Sequence, residues 1–326
     1  MKGIVYHEYG KADVLKLEEV PKPVPKDNEV LIKVRAASIN PLDWRLMHGE
    51  PKVLRFMAKL MKFGGGRIGV DVAGEVAGVG AKVKQFKIGD EVFGGCRGAV
   101  ADYACTPEKG VVAKPASITF PQAASINVAG LTALQGLRDK GQIRFGDEAL
   151  INGASGGVGT YAVQIAKSLG AHVTAVCSTR NLELVKSIGA DSVIDYTKED
   201  FTERPERYDL IFDCIGNKSP SACQRMLRAN GHCVMVGAPH DFSLFEMFST
   251  PLKAVAISIF SNRKVGFFVA KSSAGDLTTL GDMIATGKLK PVIEREYALS
   301  EAAEAMRHLE AGHARGKLVV RVSSEQ

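Results

Sequence analysis

The sequence predicts an α/β protein built from a doubly wound parallel sheet and a second, partly open β-barrel domain. Three observations carry the prediction. From about residue 125 to residue 237, apolar strand-like runs alternate with helical ones, as consecutive βαβ units do. From residue 29 to residue 107, Val-rich runs are broken by Gly and Pro, the mark of short barrel strands. A chain of 326 residues is long enough for two cores.

The barrel strands are expected at EVLIKVRAAS (29–38), DVAGEVAGVG (71–80), DEVFGG (90–95) and VADYACTP (100–107). In the alternating region, strand EALING precedes a helix over 156–169, and strand HVTAVC (172–177) precedes helix NLELVKSIG (181–189). Strands DSVID and YDLIFDCIG (208–216), a helix over 220–228 and strand HCVMVG (232–237) follow. These strands lack polar alternation, as strands covered on both faces do. KVGFFVAK (264–271) is a candidate sixth strand, and the tail holds a helix over 300–310 and strand KLVVRV (317–322). Gly78-Val79-Gly80 also looks glycine-rich, but it leads into another strand and reads as a barrel turn.

Composition narrows the function classes. The apolar content is 45% and the charged content 24%, ordinary for a globular protein. The first residues carry charges throughout and no apolar h-region, so no secretory signal is expected. The most apolar stretch, AVAISIF from Ala254, is too short to span a bilayer. The net charge of +6 comes from Lys and Arg scattered among acids. That pattern reads as a solvated surface rather than a nucleic-acid face, and it is compatible with steering an anionic ligand. The six cysteines form no C-x-x-C pair, and the seven histidines no H-x-x-x-H or H-E-x-x-H spacing. Buried thiols, no metal site and a cytoplasmic location are expected.

The strongest motif lies in LINGASGGVGTYAVQIAKSLG (150–170). Aligned to G-x-G-x-x-G it reads Ala154, Ser155, Gly156, Gly157, Val158, Gly159, with Gly153 beside the substituted first glycine. Gly156 is expected to let the backbone approach a pyrophosphate, and Gly159 to let the helix press on its strand. The helix N-terminus then offers N–H groups and a positive dipole end. An NAD site usually places Asp or Glu about 20 residues on, at the end of the next strand. Here that place reads Cys177-Ser178-Thr179-Arg180-Asn181. Arg180 can fork onto a 2′-phosphate and Ser178 can donate to it, and no carboxylate repels it. NADPH is the expected cofactor, with a surface role for Arg180 as the alternative.

On SINPLDW (38–44), GVDVAGEVAGVG (69–80), GDEVFG (89–94), AGLTALQGL (129–137), NGASGGVGTYAVQIAK (152–167) and HARGKLVV (313–320), the chain resembles the medium-chain dehydrogenase/reductase superfamily along nearly its whole length. The branch it is most similar to is the zinc-independent quinone oxidoreductases. The resemblance implies a Rossmann domain (126–270) inserted into a GroES-like partly open β-barrel domain (1–125 and 271–326), with the nicotinamide held in the cleft between them. Relative to the zinc enzymes, Asn40 matches the metal-binding Cys and Val70-Asp71 the His-Glu pair, and neither Asn nor Val replaces thiolate or imidazole. The resemblance also implies a homodimer, with KVGFFVAK as a candidate interface or else an ordinary edge strand, and contact of Tyr196 with the adenosine phosphate, the alternative being a strand-end core residue. Gly237 and Lys317 complete the expected cofactor-binding set.

Chemistry without a metal needs an acceptor that is already electrophilic. Quinones and α,β-unsaturated carbonyls fit, because charge arriving at the β-carbon delocalises onto oxygen. Asn40 is a candidate for orienting substrate or nicotinamide, or a structural turn residue before Pro41. Thr132 is a candidate near the nicotinamide, or a packing residue. Arg45 stands two residues after Asp43, where several quinone reductases carry Tyr; it can bind an oxygen but is no routine acid. Residues 50–66 could form a lid and 242–260 an apolar pocket, or each could pack as core. The leading expectation is an NADPH-dependent quinone or enone reductase. An enoyl-thioester reductase and a low-turnover NADPH-binding partner protein are the alternatives.

Overall fold

The computed structural model describes residues 1–49, 66–238, 252, 254 and 261–322. The lid expected at 50–66 lies outside the described residues except for Gly66, and the stretch 242–260 except for Leu252 and Ala254. The chain divides into two compact units. One comprises Met1–Val128, Ser272–Gly287 and Pro291–Gln326; the other comprises Ala129–Lys271 and Lys288–Lys290. The last three residues join the second unit because the Gln164 amide grips Lys290, donating to its carbonyl at 3.0 Å and accepting from its N–H at 2.8 Å.

Among the described residues the second unit holds one sheet of six parallel strands, ordered Ser192–Asp195, His172–Cys177, Glu148–Asn152, Tyr208–Asp213, Leu227–Met235, Lys264–Phe267. In chain order this is 3-2-1-4-5-6, and the direction reverses between Glu148–Asn152 and Tyr208–Asp213. Ligands of such sheets bind beyond the strand ends at that reversal. Leu150, Ile151, Leu210, Ile211 and Phe212 are fully buried, which explains the continuous apolar runs. Helix Gly157–Ser168 lies close to the sheet through Ala162, Ala166 and Gly159. A Cβ on Gly159 would fall 2.1 Å from the Gly153 carbonyl oxygen.

One expected boundary is corrected. The helix expected to reach 228 ends at Met226, and Leu227 already pairs with Tyr208 in the sheet. Leu227 is fully buried, and the backbone turns at Asn230, whose φ is 64°, so the strand resumes with His232 opposite Leu210. Burial of that side chain in the sheet core outweighs the local helical pattern.

The first unit holds a seven-stranded sheet. Its path runs Ile293–Ala298, Lys317–Arg321, Glu29–Ile39, Asp71–Val79, Glu91–Gly95, Val111–Ala113, and Tyr103–Pro107 also pairs with Glu29–Ile39. The long strand Glu29–Ile39 thus serves three neighbours. Register shifts after Leu31 and Val34 mark irregularities that bend such a strand toward closure. The tail returns as expected, Leu318 opposite Ile39 and Arg321 opposite Ala36. Strands Lys2–Val5, Lys16–Glu19, Val111–Ala113 and Ile293–Ala298 escape the sequence reading, being short or, as in KLEE and IEREYA, at least half charged. The core gathers Ile32, Val34, Val72, Val92, Trp44, Met47 and Tyr297.

Phe212 crosses the centre of the parallel sheet and packs where a Cβ on Gly136 would stand 2.5 Å from its ring. Phe212→Ala is expected to cost about 3–5 kcal/mol, read as a lower urea midpoint with an unchanged m-value.

Candidate functional site

The glycine turn is built by three different constraints. Gly153 takes φ 78°, so it performs the sharp turn that the fingerprint assigns to the position of Ala154, which is fully buried. The N–H groups of Gly153 and Ala154 both donate to Val176 O, at 3.2 and 3.0 Å, tying the turn to the neighbouring strand. Gly156 is the N-cap of helix Gly157–Ser168 and offers no capping side chain, which leaves first-turn N–H groups available to an anion. A Cβ on Gly156 would meet only the Gly153 carbonyl oxygen, at 3.4 Å, so space beyond the turn is open. Gly157 and Val158 continue the first turn, with Ser155 half-buried before it. This cradle fits a dinucleotide pyrophosphate.

The loop after the next strand lies against the turn. Asn181, absent from the sequence expectations, donates from Nδ2 to Ser155 Oγ at 2.9 Å and Ser178 Oγ at 3.2 Å. Arg180 is exposed in the short 3₁₀ turn Thr179–Asn181. Tyr196 follows strand Ser192–Asp195 with its side chain exposed and its N–H on Cys177 O. A carboxylate does stand nearby, contrary to the linear reading: Asp195 pairs in register with Cys177. Its oxygens are occupied, Oδ2 by Thr179 Oγ1 at 2.5 Å and Oδ1 by Thr197 N and Oγ1 at 3.0 and 2.7 Å. Those bonds, Thr179's foremost, hold its pKa below the usual range. Asp195 therefore braces the Arg180 turn through both of its carboxylate oxygens.

At the sheet's reversal point sits Asp213, fully buried at the end of Tyr208–Asp213. Its Oδ1 accepts from Asn152 Nδ2, Ile215 N and Gly216 N at 2.8, 3.0 and 2.9 Å, while Oδ2 is buried without a partner among the described residues. Burial pushes its pKa up against those three bonds. Gly237 is explained by packing: a Cβ there would lie 2.1 Å from Cys214 O. Thr132 is half-buried in helix Asn127–Gln135.

In the first unit a second polar cluster forms around Asp71, which has no exposed surface. Its Oδ2 accepts from Ser38 Oγ at 2.6 Å, Asn40 Nδ2 at 2.9 Å and Lys317 Nζ at 3.2 Å. Its Oδ1 accepts from Asn127 Nδ2 and Val128 N, both at 3.0 Å. Lys317 also donates to Asn40 Oδ1 at 2.6 Å. Lys317, expected among the cofactor ligands, is 3% exposed, and its ammonium meets Asn40 and Asp71. Asn40, 2% exposed, has its amide engaged at both ends, Nδ2 reaching Asp71 and Ser38 O and Oδ1 taking Lys317. Asp43 is a brace, accepting from Asn40 N at 2.8 Å and Gly69 N at 2.9 Å. Burial drives its pKa up to about 7, with Asp71 adding to the shift and the two backbone bonds opposing it. Arg45 is half-buried, its guanidinium 4.8 Å from the Trp44 ring centre. Among the described residues, no group of three or more His, Cys, Asp or Glu could hold a metal ion.

Comparison with known proteins places this geometry. The family described as "Alcohol dehydrogenase GroES-like domain" matches residues 26–116, and "Zinc-binding dehydrogenase" matches residues 188–320. A chloroplast envelope quinone oxidoreductase homolog of Arabidopsis thaliana is 36% identical over 98% of both chains. An NADPH-dependent alkenal/one oxidoreductase of the same plant, chloroplastic, is 36% identical over 98% of this chain and 79% of its own. A mitochondrial NAD(P)H oxidoreductase of Mus musculus is 35% identical over 99% of this chain and 89% of its own. The quinone oxidoreductase structure from Coxiella burnetii superposes with a TM-score of 0.89 at 34% identity, covering 99% of each chain. These relatives overturn the cytoplasmic expectation, since those named with a compartment belong to chloroplasts or mitochondria. All six cysteines are free thiols, a state that separates oxidising from reducing surroundings but not one reducing compartment from another.

Because Asp43 has a carboxyl pKa near 7 in the fold against 3.8 in a free chain, the native state binds more protons between those values. Stability is therefore expected to fall as pH rises from about 4 to about 7, on the order of 1 kcal/mol per pH unit from this group. Urea midpoints across that range should show the slope in the wild type and a flatter profile in Asp43→Asn.

Proposed function

Because the chain belongs to the zinc-independent, quinone-oxidoreductase-like branch of the medium-chain dehydrogenase/reductase superfamily, it is an NAD(P)H-dependent oxidoreductase, and we propose that it uses NADPH to reduce quinones or α,β-unsaturated carbonyls. The observation that carries the cofactor choice is the Ser178–Asn181 turn. It presents Arg180 at the end of the second strand, while both oxygens of the neighbouring Asp195 carboxylate are bonded to Thr179 and Thr197. NADPH-dependent alkenal/one reduction by a relative 36% identical points the same way.

Bound at the glycine turn, NADPH would supply the hydride. The first unit's residues bear on the choice of acceptor. Where the zinc enzymes of the superfamily hold a metal through Cys and His-Glu, this chain has Asn40, Val70 and Asp71, and the Lys317 ammonium between Asn40 and Asp71. The positive charge there is the protein's own and is nearly neutralised by Asp71. Such a cluster gives little polarisation of an unactivated carbonyl or alcohol, so the acceptor must itself delocalise the incoming charge, as an enone or a quinone does. Hydride at the β-carbon and a proton at the neighbouring carbon or oxygen complete the two-electron reduction. In this reading Arg45 and Thr132 contact the substrate oxygen or nicotinamide side, and Asn40 holds Lys317 and the start of helix Pro41–His48 in place.

Steady-state oxidation of NADPH across quinones, enones and enoyl-thioesters tests the reading, with turnover expected on the first two classes. No turnover on any of them would point instead to a binding protein. Arg180→Ala should lower the preference for NADPH over NADH by about tenfold or more, the loss of one charge-assisted bidentate contact. An unchanged ratio of the two dissociation constants would remove Arg180 as the 2′-phosphate reader.

A further inference from the structure

Asn181 has no place in the glycine fingerprint, yet it joins the two loops that the cofactor reading depends on. Its side chain is 4% exposed, and its backbone N–H is fixed on Ser178 O at 2.9 Å. The two Nδ2 hydrogens go to Ser155 Oγ and Ser178 Oγ, at 2.9 and 3.2 Å. Both serines are half-buried, and neither hydroxyl donates to a protein acceptor among the described residues.

A hydroxyl has one proton and two lone pairs. When an amide N–H occupies a lone pair, the proton turns away from that amide. Asn181 therefore leaves each serine as a donor facing outward, one in the turn before helix Gly157–Ser168 and one beside Arg180. The opposite orientation of the amide would draw both hydroxyl protons inward onto Oδ1 and present lone pairs to an anion. In the observed orientation Oδ1 itself is buried without a partner among the described residues, so both hydrogens are spent on the serines while the acceptor end stays unmatched there.

We propose that Asn181 is a positioning residue for the cofactor's phosphates. It sets Ser155 as a hydrogen-bond donor toward the pyrophosphate and Ser178 as a donor toward the 2′-phosphate. The inference rests on reading the second unit as an NADPH site. It makes the polarity of two hydroxyls, as well as the charge of Arg180, part of how an anionic dinucleotide is held.

The test is a thermodynamic cycle on NADPH and NADH dissociation constants, measured by calorimetry or nicotinamide fluorescence. Asn181→Ala should weaken NADPH binding about tenfold, and NADH binding less, because only NADPH carries the group that Ser178 meets. Asn181→Asp, nearly identical in shape, can only accept, so it should weaken NADPH at least as much. In a Ser155→Ala, Ser178→Ala background, Asn181→Ala should change either constant less than about twofold. The proposal fails if Asn181→Ala costs as much without the serines as with them, or if Asn181→Asp binds NADPH like the wild type. Circular dichroism confirms the fold of each variant, and Asn181→Ser carries the same cycle should the alanine variant unfold. A wild type that binds neither dinucleotide would instead refute the cofactor reading.

Discussion

The carboxylate of Asp71 draws five hydrogen bonds from three separate parts of the chain. Ser38 and Asn40 come from the end of the long barrel strand, Asn127 and Val128 from the segment that leads into the second unit, and Lys317 from the returning tail. A buried carboxylate is costly unless its lone pairs are used and its charge is matched. Lys317 matches the charge, and the other donors use the lone pairs. The start and end of the first unit are thereby fastened to one point, and Asn40 and Asp43 at the head of helix Pro41–His48 inherit their geometry from it.

The second unit depends on close approach instead of charge. Gly153 turns where a side chain would strike Ile215, Gly159 sits under the Gly153 carbonyl, and Gly216 and Gly237 meet at the ends of adjacent strands. These contacts bring backbone N–H groups to the strand ends at the sheet's reversal point, where Asp213 holds the loop that follows it. The two units thus rest on different physical means: backbone donors and a helix end suited to an anionic cofactor in one, and a buried polar cluster around Asp71 in the other.

Much of the fold could be read from local pattern. The strands at 29, 71, 148, 172, 208 and 264 begin at the expected positions; at 148 and 208 burial on both faces leaves a continuous apolar signature, and elsewhere Val-rich runs bounded by turn residues sufficed. KLEE and IEREYA could not be read, since their pairing partners rather than their own composition make them strands. Leu227 carried a helical pattern that the sheet core overrode. In the candidate site the glycine turn, Ser178 and Arg180 were recognisable by spacing. Asn181, Asp195 and Asp213 were not, because their importance lies in partners that no motif announces.

By itself the sequence determined the two-domain class, the strand–turn–helix that suits a dinucleotide, and the lack of metal-binding side chains where the zinc enzymes have them. Those features are short-range: they depend on periodicity, on glycines a few residues apart and on residue type. Only the tertiary structure decided what Lys317 and Asn40 do. The bonds that settle it join residues 277 and 246 positions apart for Lys317, and 31 apart for Asn40 and Asp71. A lysine at a strand start can reach a carboxylate only where folding buries one beside it, and here Asp71 comes from a distant strand.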